Sequence, residues 1–240
     1  MEEWYHYVLL VLVGFVVGFI NTVAGGASLI SLPFLIFLGL PPSVANGTNR
    51  VAIAIQTAIG VAGFRSKGVT TFPFNIYLGI SALFGSIIGA SIAVDIKGET
   101  FNKILAIIML LVVMIIVFER LTGKYLWVGI IAFFFIGIYG GFINAGIGFV
   151  ILLFLHYVNH MTLVRANATK VAVVFIYTLS ALAVFIYNDK VLWEVGLVLA
   201  IGNGAGAWLS SRISVGKGDG YVKMFLIFMV ILMAVKLWFF

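Results

Sequence analysis

The chain has 240 residues, of which 63% are hydrophobic and 9% charged, and its mean hydropathy is +1.23. No water-facing surface can be built from that composition, so a soluble domain is excluded; the net charge of +6 is no nucleic-acid signal, because basic residues in membrane chains chiefly record orientation. The absence of cysteine removes disulfides, thiolate metal sites and passage of a substrate along sulfurs.

Apolar runs long enough to span a bilayer recur along the chain. The start, Met1-Glu2-Glu3, lacks the basic region of a signal peptide, and the apolar run after it is too long for one. Residues 4–21 are therefore expected to remain as a first helix. Four more segments follow in the first half, over 27–38, 45–64, 74–94 and 101–118. A polar patch at 119–124 separates them from five more, over 126–144, 146–157, 166–187, 191–212 and 221–240. The expected fold is all-α, a polytopic membrane protein.

The second segment of each half is too short to cross. At ~1.5 Å per residue, 27–38 covers ~18 Å of a ~30 Å hydrocarbon core. Gly25 and Gly26 precede it, Pro33 interrupts it and Pro41-Pro42 follow it; 146–157 is equally short and opens on Gly146 and Gly148. Such pieces are broken or re-entrant, and non-helical backbone at that depth survives only where it is buried in protein or lines a watery cavity.

The polar interruptions occur twice and in the same order. Gly18-Phe19-Ile20-Asn21 returns as Gly141-Phe142-Ile143-Asn144, and Ala45-Asn46-Gly47-Thr48 as Ala166-Asn167-Ala168-Thr169, about 120 residues later. After the extra Asn49, Arg50-Val51-Ala52 meets Lys170-Val171-Ala172. Two homologous repeats are expected, 1–122 and 123–240, with a binding site where they meet. If each first-plus-second pair returns the chain to the side it left, each half crosses an odd number of times and the repeats are inverted. Arg65, Lys67, Arg120, Lys124, Arg165, Arg212, Lys217 and Lys223 then face the cytoplasm, against Lys97, Lys103, Lys190 and Lys236 outside, as the positive-inside rule asks.

Arg50 and Lys170 are expected about one turn inside the third helix of each half, where free N–H groups and the helix dipole favour an anion. Asn46, Thr48 and Asn49 precede Arg50, and Asn167 and Thr169 precede Lys170, as further donors. The plain alternative is that both cations snorkel to the headgroups. Asn21 and Asn144 end the first helices as caps or cavity donors. Gly25, Gly26 and Gly146 permit the breaks and expose backbone to a substrate. Gly85-x-x-x-Gly89 and Gly202-x-x-x-Gly206 read as close helix packing, and His156 with His160 as interfacial anchors. No Asp or Glu lies centrally in a segment, and no catalytic triad, phosphate loop, metal-ligand cluster or cofactor motif is present in the sequence.

The two motif sets, Gly18 through Ala27 with Gly39-Leu40-Pro41-Pro42 and Arg50, and Gly140 through Gly148 with Ala166 to Lys170, resemble the sulfite exporter TauE/SafE family. This chain departs from the common pattern in Ala27-Ser28 and in Arg50, where lysine is frequent. The resemblance implies a multi-pass transporter in the cell membrane that moves sulfite or an organosulfur anion such as a sulfonate. The expected partners are that small anion and the lipid bilayer, with homo-oligomerisation open. The alternatives are a carrier of another small solute or cation or, from another class, an intramembrane enzyme or a scaffold subunit.

Overall fold

In the computed structural model residues 4–95 and 126–239 are described, and all their regular elements are helices. They are α1 (Trp4–Val23), α2 (Ser28–Phe37), α3 (Pro42–Arg65), α4 (Phe74–Asp95), α5 (Leu126–Phe142), α6 (Ile147–Tyr157), α7 (Leu163–Tyr187) and α8 (Trp193–Phe239). The helix expected over 101–118 and the patch 119–124 lie outside the described residues. Among the described residues three helices, Tyr5–Val23, Phe74–Val94 and Leu163–Tyr187, are long and apolar enough to cross a membrane.

Polarity runs inside out, as a bilayer requires. Leu12 and Ile201 are 58% and 65% exposed, while Asn167 and Asn203 are fully buried. Lipid solvates the first pair, and only protein can satisfy the second.

Two corrections follow from local chemistry. α3 begins at Pro42, three residues before the expected 45, because Pro41 is extended (ψ 144°) and a proline at the first helical position gives up only an N–H that has no partner anyway. α7 likewise begins at Leu163, before the expected 166, behind the extended cap Thr162, so Arg50 and Lys170 are the ninth and eighth residues of α3 and α7, beyond the free N–H groups of either start. The two final segments expected at 191–212 and 221–240 form one element, α8, broken at Gly218 (φ 75°).

That break sets Asp219 against the start of α7. Its carboxylate accepts from Leu163 N (3.0 Å) and Val164 N (2.9 Å), and Thr162 Oγ1 accepts from Arg165 N (3.4 Å). Anionic capping of a helix start is worth about 1–2 kcal/mol. Asp219→Ala is expected to lose that amount, read as a lower thermal midpoint in detergent; an unchanged midpoint would refute the cap.

α1 lies against α8 and α5 against α4, while α3 packs on α8 and α7 on α4. Small residues permit both close contacts. A Cβ built at Gly85 would lie 2.0 Å from Phe134 O, and one at Gly202 would lie 2.0 Å from Val11 O. The packing reading of the two small-residue motifs is therefore correct. α3 and α7 run antiparallel: Thr48 Oγ1 accepts from Leu192 N (3.0 Å) at one end, and Phe64 packs with Ala168 near Val215 at the other. This places Arg65, Arg165 and Lys217 toward one face and Lys190 toward the other, the split that the loop charges predict.

Candidate functional site

The two glycine breaks meet in the centre. Gly25 and Gly26 have φ of 91° and 78°, and Gly146 has 76°. Gly25 faces the start of α6 so closely that a Cβ there would lie 2.5 Å from Gly148 C. Both short helices, α2 and α6, therefore begin beside each other, and their first N–H groups have no partner within the helix.

Around this crossing the third helix of each half secures the first helix of the other. Arg50 is fully buried; Nη1 donates to Gly140 O (2.5 Å) and Nη2 to Gly141 O (2.8 Å), with Asn46 Oδ1 at 3.5 Å. Asn46 Nδ2 donates to Phe142 O (2.8 Å). These are the last carbonyls of α5, which lack intrahelical partners, and a cation is favoured at that end of the dipole. In the reciprocal arrangement Lys170 Nζ donates to Asn21 O (3.0 Å), Thr22 O (3.2 Å) and Asn167 Oδ1 (2.6 Å). Asn167 Nδ2 donates to Val23 O (2.6 Å), at the end of α1. An ammonium has three donors, and all three are used here. Neither cation reaches out to headgroups, so the snorkelling alternative is wrong.

Between these braces lies a small cavity lined by Asn21, Gln56, Thr57, Asn144, Ile147, Gly148, Lys170, Val171 and Val174. Its volume of about 10 Å³ admits roughly one water molecule, so the site is closed in this conformation. Its polar wall is a network. Asn21 Nδ2 (3.5 Å) and Asn203 Nδ2 (3.1 Å) both donate to Gln56 Oε1. Tyr177 OH donates to Asn144 Oδ1 (2.6 Å), and Asn144 Nδ2 to Ser28 Oγ (3.4 Å). Among the described residues, no carboxylate stands on the lining.

The expected site residues thus divide by position. Asn21, Asn144 and Lys170 line the cavity, and Gly25, Gly26 and Gly146 form the breaks beside it. Arg50, Asn46 and Asn167 sit one layer back, on the carbonyl ends. Thr48 joins the starts of α3 and α8, Thr169 Oγ1 donates to Arg165 O of its own helix (2.9 Å), and Asn49 Oδ1 is buried without a partner. Sequence reading missed Gln56, Thr57, Tyr177 and Asn203. Gln56 was readable as a lone amide in an apolar stretch, which costs energy unless paired.

Polar side chains and broken short helices converging at the centre of a multi-pass helical protein define the site architecture of a secondary transporter. The model of the family "Sulfite exporter TauE/SafE" matches residues 10–237, and the chain belongs to that family. It is similar to a "Probable membrane transporter protein" of Haemophilus influenzae, 28% identical over 237 residues, covering 95% of this chain and 93% of that one. A "Probable membrane transporter protein ORF9" of Sinorhizobium is 24% identical over 93% of this chain and 88% of its own length. The "Probable membrane transporter protein YfcA" of Escherichia coli K12 is 24% identical over 95% and 88%. No solved structure matches the chain. The chain is a multi-pass membrane transporter, not an enzyme.

Proposed function

We propose that the transported solute is a small anion, a sulfur oxyanion such as sulfite or an organosulfonate, and that it is held in the central cavity between two inverted repeats, 1–122 and 123–240. The single observation carrying the charge assignment is Lys170 on the lining with no carboxylate beside it among the described residues. Backbone N–H groups at the start of α6 and the amides of Asn21, Gln56 and Asn144 supply donors suited to oxyanion oxygens. Because Lys170 already spends its three donors on protein oxygens, it acts on the solute chiefly as a charge. The antiparallel course of α3 and α7, and their reciprocal braces, support the inverted reading. Asn46, Thr48, Asn49, Arg50, Asn167 and Thr169 belong to the site in this reading as supports.

Loading requires the cavity to widen, and alternating exposure to the two faces follows from rocking one half against the other. The test is ligand stabilisation and equilibrium binding over sulfite, sulfate, sulfonates and carboxylates. Lys170→Gln is expected to weaken the best ligand by about tenfold or more, ~1.4 kcal/mol per decade. Wild-type affinity in folded Lys170→Gln, or stabilisation by cations alone, would overturn the anion assignment.

A further inference from the structure

A second cavity, of about 490 Å³, opens where α3 ends and α4 begins, with Arg65, Thr70, Thr71 and Asn75 on its wall. It is close to the central cavity along both helices that line them. On α3, Thr57 faces the central cavity while Val61 and Phe64, one and two turns further on, face the outer one. On α7, Lys170, Val171 and Val174 line the central cavity and Ala168 and Ala172 the outer one. The material between them is apolar. Phe64, Ala168 and Val171 form a buried cluster of their own, apart from the main core, with Phe64 and Val171 each 1% exposed. Gly60 lies behind it, its Cβ position 3.7 Å from Val171 Cγ1, so no larger side chain fills that gap.

We infer that the outer cavity is the vestibule through which solute enters or leaves the central site, and that Phe64 and Val171 are its apolar gate. A thin hydrophobic constriction holds back ions and water without a charged latch, and it opens by separation of the two helices that carry it. Arg65 gives the vestibule the sign that draws an anion toward the gate. The closed central cavity and the open outer one are what a carrier sealed at one layer presents. The inference rests on the reading that the central cavity holds the solute, but its test does not.

The chain lacks cysteine, so single-cysteine variants report cleanly. Val61→Cys reports on the vestibule and Val174→Cys on the central cavity; the probe is an anionic, membrane-impermeant methanethiosulfonate applied from the Arg65 face. Val61→Cys is expected to react at least about tenfold faster than Val174→Cys, and adding Phe64→Ala or Val171→Ala should raise the Val174→Cys rate by about tenfold. Val171→Ala carries the test if Phe64→Ala does not fold. Equal rates at the two cysteines with the gate intact would overturn the inference. So would folded gate variants, monodisperse by size exclusion, in which Val174→Cys stays slow. Protection of Val174→Cys by sulfite scores the solute reading separately: a gate effect without protection supports the gate and counts against sulfite in the cavity.

Discussion

Replacing Arg50 by methionine is expected to cost about 3–5 kcal/mol of stability, because two buried carbonyls, Gly140 O and Gly141 O, lose hydrogen bonds from a charged donor worth about 1.5–3 kcal/mol each. Removing a buried charge also returns its desolvation penalty, and well-packed apolar replacements of whole ion pairs can be neutral. That escape is closed here, since the acceptors are backbone groups that no substitution removes. Lysine offers a different outcome. Lys170 already shows one ammonium serving two such carbonyls and a neighbouring amide, so Arg50→Lys should retain most of the stability. The measurement is the unfolding midpoint in detergent, with the exposed Lys67→Met as control. Arg50→Met unfolding with wild type would sink the brace.

Gly25→Ala is expected to lose about 3 kcal/mol or more, and Gly39→Ala only about 1 kcal/mol, although the two have nearly the same φ (91° and 92°). At Gly39 nothing lies within 4 Å of an added Cβ, so the cost is that of a left-handed alanine alone. At Gly25 the methyl meets Gly148 C at 2.5 Å and Gly148 Cα at 2.6 Å, and backbone cannot swing aside as a side chain can. The breaks must part, and the cavity wall at Gly148 moves with them. Ligand stabilisation should vanish in Gly25→Ala and persist in Gly39→Ala. Equal losses at the two glycines would mean that the crossing of the breaks contributes nothing beyond its φ angles.

Much of this was legible in the residues. Composition required a bilayer, and the glycine and proline punctuation located α2 and α6 within a few residues, because a break in an apolar helix has few alternatives. The recurring asparagines and cations marked the central layer. Their roles were less legible. Reading the turn after Pro41-Pro42 as loop put Arg50 at a helix start and made it an anion ligand. The earlier start at Pro42 leaves it about two turns inside the helix, on the end of another helix. Gln56, Tyr177 and Asn203 escaped because repeat matching finds like residues. Asn21 bonds to a glutamine and Asn144 to a tyrosine, so the two halves fill comparable places with different chemistry. Contacts across 90 to 149 residues of sequence separation leave no trace in local pattern.

The wide separation of Arg50 from its acceptors bears on how the chain is made. Gly140 lies 90 residues beyond Arg50, and at about 5–20 residues per second it is synthesised roughly 5–20 s later. Throughout that interval α3 carries a guanidinium whose two carbonyl partners do not yet exist. Until α5 arrives, α3 has to hold that group near the bilayer surface or against the insertion machinery. Lys170 faces no such wait, because the end of α1 that receives it is already in place. Biogenesis is therefore lopsided even where the finished braces mirror each other. Expressed alone, the first half retains the unmet charge; co-expression with the second half supplies what it lacks.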